Sequence, residues 1–456
     1  MSEKSSNFAK SNISDMNRVL QKLFGFDSAT MKVRTEVQAG ITTFLTMAYI
    51  LAVNPFIFSA LNDPEVTPGA VFTATVLAAL LGTLIMAMMA KKPLGLAPGM
   101  GLNAFFVYTV CLELGYSWRM ALTAVLLEGI LFIILSVTSV REKIANTIPA
   151  NIKYAITAGI GIYLAFIGLQ NSGIVVDEPS TLVTLNSLMT PTSLLFIFGL
   201  FLTGILVTLK IKGALLIGLL VSTLMGIPLG LVHLDGFMQM PDSIAPIAFQ
   251  FQWQNILTWD MVAIVFTFLF LDLFDTIGTV VGISVVSGNV DKDGKVDGAG
   301  NILLADAIAT TVGACLGTST TTTYLESASG IKAGGRSGLT AFIIAIGFAV
   351  ALFFSPIFLA IPSQATGAVL VVVGAMMISQ IAKIDWEDMS EAIPAFLTII
   401  FMPFSYNISE GIMIGMVSYV LINGVYGLFH RELLNKVSPL MWVLAVIFIA
   451  RYIIRG

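Results

Sequence analysis

Long apolar runs separated by short polar breaks dominate this chain. A membrane-spanning helix needs roughly 20 apolar residues, fewer where the helix is broken. Seven such runs fall at 35–58, 68–90, 97–114, 119–140, 152–170, 193–209 and 213–232. Seven more fall at 259–284, 301–316, 318–334, 337–357, 364–381, 391–407 and 409–428. The pattern therefore predicts an all-α polytopic membrane protein of 14 transmembrane segments. Because seven is odd, the second half must run inverted to the first, a 7+7 inverted repeat.

Two runs at corresponding positions of the halves are interrupted. The third contains Leu96-Ala-Pro-Gly-Met-Gly-Leu-Asn103, and the tenth contains Gly317-Thr-Ser-Thr-Thr-Thr-Thr-Tyr-Leu-Glu326. Pro98, Gly99 and Gly101 disfavour a regular helix. The β-branched, polar run Thr318–Thr323, with Ser319 inside it, suits an extended strand. Irregular backbone at membrane depth must be buried in protein or line a cavity. Short extended strands are expected in broken spans 3 and 10, pairing with one another. The irregular backbone centres on Gly99, Gly101, Thr318 and Ser319. A half-helix would follow each strand, beginning near Asn103 in one and near Tyr324 in the other. Matched broken spans in inverted halves are the sequence pointer to a transporter's binding site.

Composition sharpens this picture. The chain is 57% hydrophobic and 11% charged, against about 25% charged in ordinary soluble domains. Of its 23 Lys and Arg residues, Arg119 alone falls in a loop expected outside. The positive-inside rule then puts the N-terminus in the cytoplasm of a multi-pass protein of the cytoplasmic membrane. Residues 1–34 form a polar cytoplasmic segment with no secretory leader; Met16, Val19, Leu20, Leu23 and Phe24 could make one face of a short interfacial helix. At the other end, 429–456 carries an apolar stretch from Val437 to Ile454 that reads equally as an interfacial helix or a further span. Cys111 and Cys315 suggest neither a disulfide framework nor a metal site. His233 and His430 lie at span ends, so any proton relay inside the membrane would use carboxylates. The acidic loop Asp291–Asp297 departs from a calcium loop at Val296 and Ile302. No metal, cofactor or nucleic-acid partner is expected.

Candidate chemistry starts with Asp272 and Asp275, near the middle of the eighth span. Each costs roughly 2.5–3.5 kcal/mol to insert at a helix centre, so such residues usually face a protein interior or a permeant. Three positions apart, they lie about 60° apart around the helix axis, and Thr276 and Thr279 continue their face. Glu326 sits just inside the tenth-span half-helix, where the gain from the helix dipole is too small to offset desolvation. Asn103 could contact a ligand or satisfy broken backbone. The substrate-binding set expected is Asn103, Asp272, Glu326 and Thr323, with Asp275 and Thr276 as proton-coupling or supporting residues. Phe105, Phe268 or Tyr324 could stack on a ring. Glu113, Glu410 and Asp306 are expected near span ends within reach of water, and Glu128 lies deeper with no evident partner. An intramembrane aspartyl protease needs two aspartates from separate helices; Asp272 and Asp275 share one helix, so no enzyme is expected.

Four segments together resemble the nucleobase–cation symporter-2 superfamily, specifically its AzgA-like branch of adenine, guanine and hypoxanthine permeases. They are Gly40-Ile-Thr-Thr-Phe-Leu-Thr-Met-Ala-Tyr-Ile-Leu-Ala-Val-Asn-Pro55, Gly95-Leu-Ala-Pro-Gly-Met-Gly-Leu-Asn-Ala-Phe-Phe106, Asp272-Leu-Phe-Asp-Thr-Ile-Gly278 and Gly317–Gly330. The resemblance runs from about residue 24 to 430. It implies a core domain of 35–140 and 259–357, a gate domain of 152–232 and 364–428, and assembly as a homodimer. It also implies purine recognition by Asn103, Asp272 and Glu326, with Asp275 a further acid important for transport. The function expected is proton-coupled purine uptake by alternating access. The alternatives are uracil, xanthine or urate, or an anion, on the same fold.

Overall fold

The computed structural model describes residues 17–137, 149–232, 234, 236–254, 256–287, 298–429 and 437–455. Met16, the 291–297 loop, His233, His430 and several of the basic residues counted above lie outside them. The protein is mostly helical. Among the described residues nine helical runs are long and apolar enough to cross a membrane, among them Val33–Ser59, Pro68–Ala90, Trp118–Ser136, Ala150–Asn171 and Ala299–Leu316. Shorter apolar helices occupy Met100–Glu113, Ala214–Gly226 and Met389–Phe404. The acid-bearing helix runs over Trp259–Ser287.

Two groups of helices pack chiefly among themselves. In one, Pro68–Ile85 contacts Ile50–Ser59, Ala299–Leu316 and Gly338–Ala351, while Trp118–Val137 contacts Ala299–Leu316 and Trp259–Ser287. In the other, Ala150–Asn171 packs on Ser363–Met377 and Met389–Phe404, which in turn meet Pro191–Thr208 and Ile408–Phe429. Small residues let backbones approach closely where lipid gives helices no hydrophobic reason to associate. A Cβ on Gly168 would stand 2.6 Å from the Gly367 carbonyl oxygen, and one on Gly367 would stand 2.5 Å from that of Gly168. The helices Ala150–Asn171 and Ser363–Met377 touch through these glycines.

The first span is not one regular helix. Helix Val33–Met47 stops and Ile50–Ser59 begins. Between them the ladder tightens to i→i−3 bonds, Leu51 N to Ala48 O and Ala52 N to Tyr49 O, both 3.1 Å. The third span is also irregular beyond its break, with π-helical backbone over Phe105–Glu113.

The ends of the described chain are tied down by packing. Residues 17–24 are helical, and Phe24 sets its ring 4.9 Å from that of Phe342. Helix Pro439–Arg455 packs along Ile408–Phe429, and Phe448 reaches Phe266 of the Trp259–Ser287 helix at 6.1 Å. Cys111 and Cys315 are both free. Residues Val175–Glu178 (β2) and Leu182–Leu185 (β3) form a separate hairpin between two helices.

Candidate functional site: two paired strands amid buried carboxyls

The expected strands exist and pair. Leu96–Pro98 (β1) and Thr321–Thr323 (β4) run antiparallel, with Leu96 opposite Thr323, Ala97 opposite Thr322 and Pro98 opposite Thr321. The pairing extends through Gly99 N to Thr320 O and Tyr324 N to Gly95 O, both 3.0 Å. A two-stranded ribbon inside a membrane protein still exposes two outer edges, whose polar groups need partners. Thr83 of the second span serves one edge: its hydroxyl accepts from Leu96 N at 2.9 Å and donates to Leu96 O at 3.0 Å. On the other edge, Thr310 donates to Thr321 O at 3.0 Å and Asp306 accepts from Thr323 N at 2.8 Å. The edge groups come from the second and ninth apolar runs.

Both broken spans are shorter in extended structure than the sequence suggested. Helix Ala299–Leu316 ends on Gly317 in the left-handed region (φ 91°), and Thr318 N bonds back to Gly313 O. That capping turn consumes Thr318 and Ser319, so the pairing begins at Thr320 O and the strand itself spans only the last three threonines. The helices also start elsewhere. In span 3 the helix begins at Met100, directly after the strand, so Asn103 closes its first turn through a 2.8 Å bond to Gly99 O. In span 10 it begins at Ser327, with Glu326 at its N-cap. Glycine at 99 is a requirement of close approach: a Cβ there would lie 2.8 Å from Thr322 Cγ2.

The acids converge on this ribbon in two groups. Asp275 and Glu326 reach open space. Asp275 is exposed, although it lies in the middle of the Trp259–Ser287 helix. Glu326 is half-buried and accepts a 2.8 Å bond from the Tyr49 hydroxyl at the break in the first span. Gly99 borders the same space, since a Cβ on it would stand 3.7 Å from Asp275 Oδ2. The sequence reading of the first span missed Tyr49; its polar ring in an otherwise apolar run was the available signal.

The second group is sealed. Asp272, Glu128 and Asp306 are each 0% exposed. Thr276 sits between them, its hydroxyl 3.3 Å from Asp272 Oδ1, 2.8 Å from Asp306 Oδ2 and 2.8 Å from Thr322 Oγ1. Asp306 also accepts from the Thr323 hydroxyl at 2.8 Å. The expectation that water reaches Asp306 was wrong: its helix starts at Ala299, so Asp306 lies two turns in and faces β4. Glu128 has a partner the sequence did not reveal: Thr320 donates to its Oε2 at 3.0 Å.

Other named residues hold the site together. Asn103 is buried, with its side-chain oxygen bonded by the Ser319 hydroxyl and its amide nitrogen 3.5 Å from Pro98 O. Gly101 lies in the first turn after the break. Asn54 links Thr75 at 2.7 Å to Thr318 at 3.1 Å. Phe105 and Phe268 are buried edge-to-face against each other with centroids 4.8 Å apart, and the Tyr324 hydroxyl donates to Pro98 O at 2.5 Å. All three rings are engaged in packing or bracing. Glu113 is exposed and Glu410 partly so, near helix ends.

Known proteins share both sequence and shape with this chain. It is 42% identical to the guanine/hypoxanthine permease PbuG of Bacillus subtilis, over 95% of this chain and 99% of PbuG. It is 36% identical to the adenine permease AdeP of Escherichia coli, over 95% of this chain and 96% of AdeP. Among solved structures, the transmembrane domain of the cyanobacterial bicarbonate transporter BicA superposes with a TM-score of 0.63 at 15% identity, covering 85% of this chain and 98% of that domain. SLC26A9 superposes with a TM-score of 0.62 at 13% identity, covering 90% of this chain and 69% of SLC26A9. At those identities the likeness is one of fold alone. Residues 34–414 match the Xan_ur_permease model, a permease family, and with these relatives the match shows that the chain belongs to the nucleobase:cation symporter-2 family of membrane transporters.

Proposed function

We propose that this protein takes up purine nucleobases, guanine, hypoxanthine or adenine, across the cytoplasmic membrane in symport with protons. The reading rests above all on the purine permeases that it resembles along nearly their whole length. The site chemistry supports it. A purine offers ring N–H donors beside acceptors; carboxylates accept, while backbone N–H groups donate. Asp275 and Glu326 supply accessible acceptors. The first-turn amides of the Met100 helix, unpaired within their own helix, supply donors beside them. These two acids, rather than Asp272, are the ligand contacts in this reading, because Asp272 is sealed. Asn103 and Thr323 act behind them, fixing the broken backbone and β4.

The transporter architecture in this proposal has 14 spans in two inverted halves of seven, with the N-terminus in the cytoplasm. The helix group built on Pro68–Ile85 and Ala299–Leu316 is the core, and the group built on Ala150–Asn171 is the gate. Movement of core against gate gives alternating access, and two copies assemble as a homodimer. An anion substrate, as for the bicarbonate transporter of similar fold, fits poorly, since these two carboxylates would repel it.

Reconstituted protein tests the proposal. Labelled guanine, hypoxanthine or adenine should accumulate in proteoliposomes when the outside is made acidic, and unlabelled guanine, hypoxanthine or adenine should compete better than uracil, xanthine or sulfate. Absence of gradient-dependent purine uptake would overturn it.

A further inference from the structure

We propose that Tyr108 and Asn171 form the external latch of the transport cycle, a contact between the two helix groups that parts before the site opens outward. The inference rests on the alternating-access reading above and names a contact that holds one of its two states. Tyr108 lies in the π-helical stretch Phe105–Glu113. That stretch is anchored to the first group by Phe105 against Phe268 at 4.8 Å and by Phe106 against Phe58 at 5.1 Å. Asn171 is the last residue of the Ala150–Asn171 helix of the second group, and its amide donates to the Tyr108 hydroxyl at 2.7 Å. Tyr406, just after the Met389–Phe404 helix, sets its ring edge-on to that of Tyr108 with centroids 5.8 Å apart.

The second group presents a preformed seat for Tyr108. A bulky residue in the left-handed region persists only where its surroundings over-determine it. Tyr406 has φ 56°, and the Tyr163 hydroxyl holds its carbonyl at 3.2 Å. The rings of Tyr163 and Phe166 pack on it with centroids 5.5 and 6.0 Å away. On the other side of the contact, the third span links the latch to the ligand site. By their spacing Gly101, Ala104 and Tyr108 share one face of it. Gly101, in the first turn after β1, also meets the second group: an added Cβ would stand 2.9 Å from Ile160 Cγ2.

In the topology proposed above, the latch lies on the external side of the acids. From Phe105 to Val110 every residue is buried. Asp275 is exposed, and Glu326 and Ser329, on the cytoplasmic half of the tenth span, are half-buried. The conformation is thus closed outward, with the Tyr108–Asn171 bond among the contacts that keep it so. A bond made in one state and absent from the other biases their ratio by its net worth, about two- to tenfold for one hydrogen bond.

Tyr108→Phe tests the latch, since it deletes the hydroxyl and keeps the ring. In oriented proteoliposomes, the guanine concentration that half-saturates exchange from the external face should fall about two- to tenfold, while that from the cytoplasmic face stays or rises. A residue that only supports the fold would move both the same way. Equal shifts on both faces, or none, overturn the latch. Asn171→Ala removes the same bond from the other group and should act alike, the double variant adding nothing further. A second measurement needs no substrate. Ala104, 0% exposed, becomes the probe as Ala104→Cys, with the free cysteines removed by Cys111→Ser and Cys315→Ser. A membrane-impermeant methanethiosulfonate applied outside should modify it about two- to tenfold faster once Tyr108→Phe is added; an unchanged rate also overturns the proposal. Wild type that exchanges no purine, while this rate still rises, would leave the latch standing and bring down the purine reading instead.

Discussion

Removing the Asp306 carboxyl should unfasten the ribbon that carries the site. Asp306 is 0% exposed and accepts three bonds of 2.8 Å, from Thr323 N, Thr323 Oγ1 and Thr276 Oγ1. Asp306→Ala deletes all three and strands a buried backbone N–H on the edge of β4. At about 1–2 kcal/mol for each lost bond or unsatisfied group, the total is roughly 3–6 kcal/mol. Asp306→Asn keeps the oxygen that serves Thr323 and exchanges the other for an amide, which can donate to Thr276; its cost should stay below about 1.5 kcal/mol. The assay is thermal unfolding in detergent, followed by size-exclusion chromatography of heated samples. A chain of this length should melt about 3–6 °C lower with Ala and about 2 °C lower or less with Asn. Guanine should still raise the melting temperature of the Asn variant and should not raise that of the Ala variant. An Ala variant that melts with wild type, within about 1 °C, would refute the claim that Asp306 is the edge partner of β4.

Two further outcomes follow from single contacts. Tyr49→Phe removes only the hydroxyl that holds Glu326, at 2.8 Å, and should weaken guanine binding in a thermal-shift titration about tenfold, near 1.4 kcal/mol; unchanged affinity would remove Tyr49 from the site. Gly367→Ala would place a Cβ 2.5 Å from the Gly168 carbonyl oxygen and should cost about 1–3 kcal/mol in detergent unfolding. Gly204→Ala, with nothing within 4 Å of its added Cβ, should be neutral or slightly stabilising; equal effects of the two would contradict the close approach of those helices.

How much of the site was legible depended on how local its cause was. The strands at 96–98 and 321–323 could be anticipated because Pro98, Gly99 and the β-branched threonines act on their own backbone, and two interrupted spans need each other's hydrogen bonds. Their lengths could not. Gly317 ends a helix in the left-handed region, and that capping turn uses Thr318 and Ser319 before the strand starts. The roles of the acids were less legible still. Asp272 and Asp275 look alike at three residues' separation, yet one is sealed and the other exposed.

The sequence by itself determined that this is a polytopic membrane protein, because the cost of placing polar groups in lipid acts residue by residue. It also pointed to the eighth span and the two broken spans as the place to look for a site, because carboxyls and helix-breaking residues stand out against an apolar background. Only the tertiary structure decided the partners. Glu128 meets Thr320 across 192 positions of sequence, Tyr49 meets Glu326 across 277, and Asp306 closes the edge of β4. Hydrogen bonds of that kind depend on how helices are arranged around the ribbon, and nothing in the local pattern of a span specifies which other span it will face.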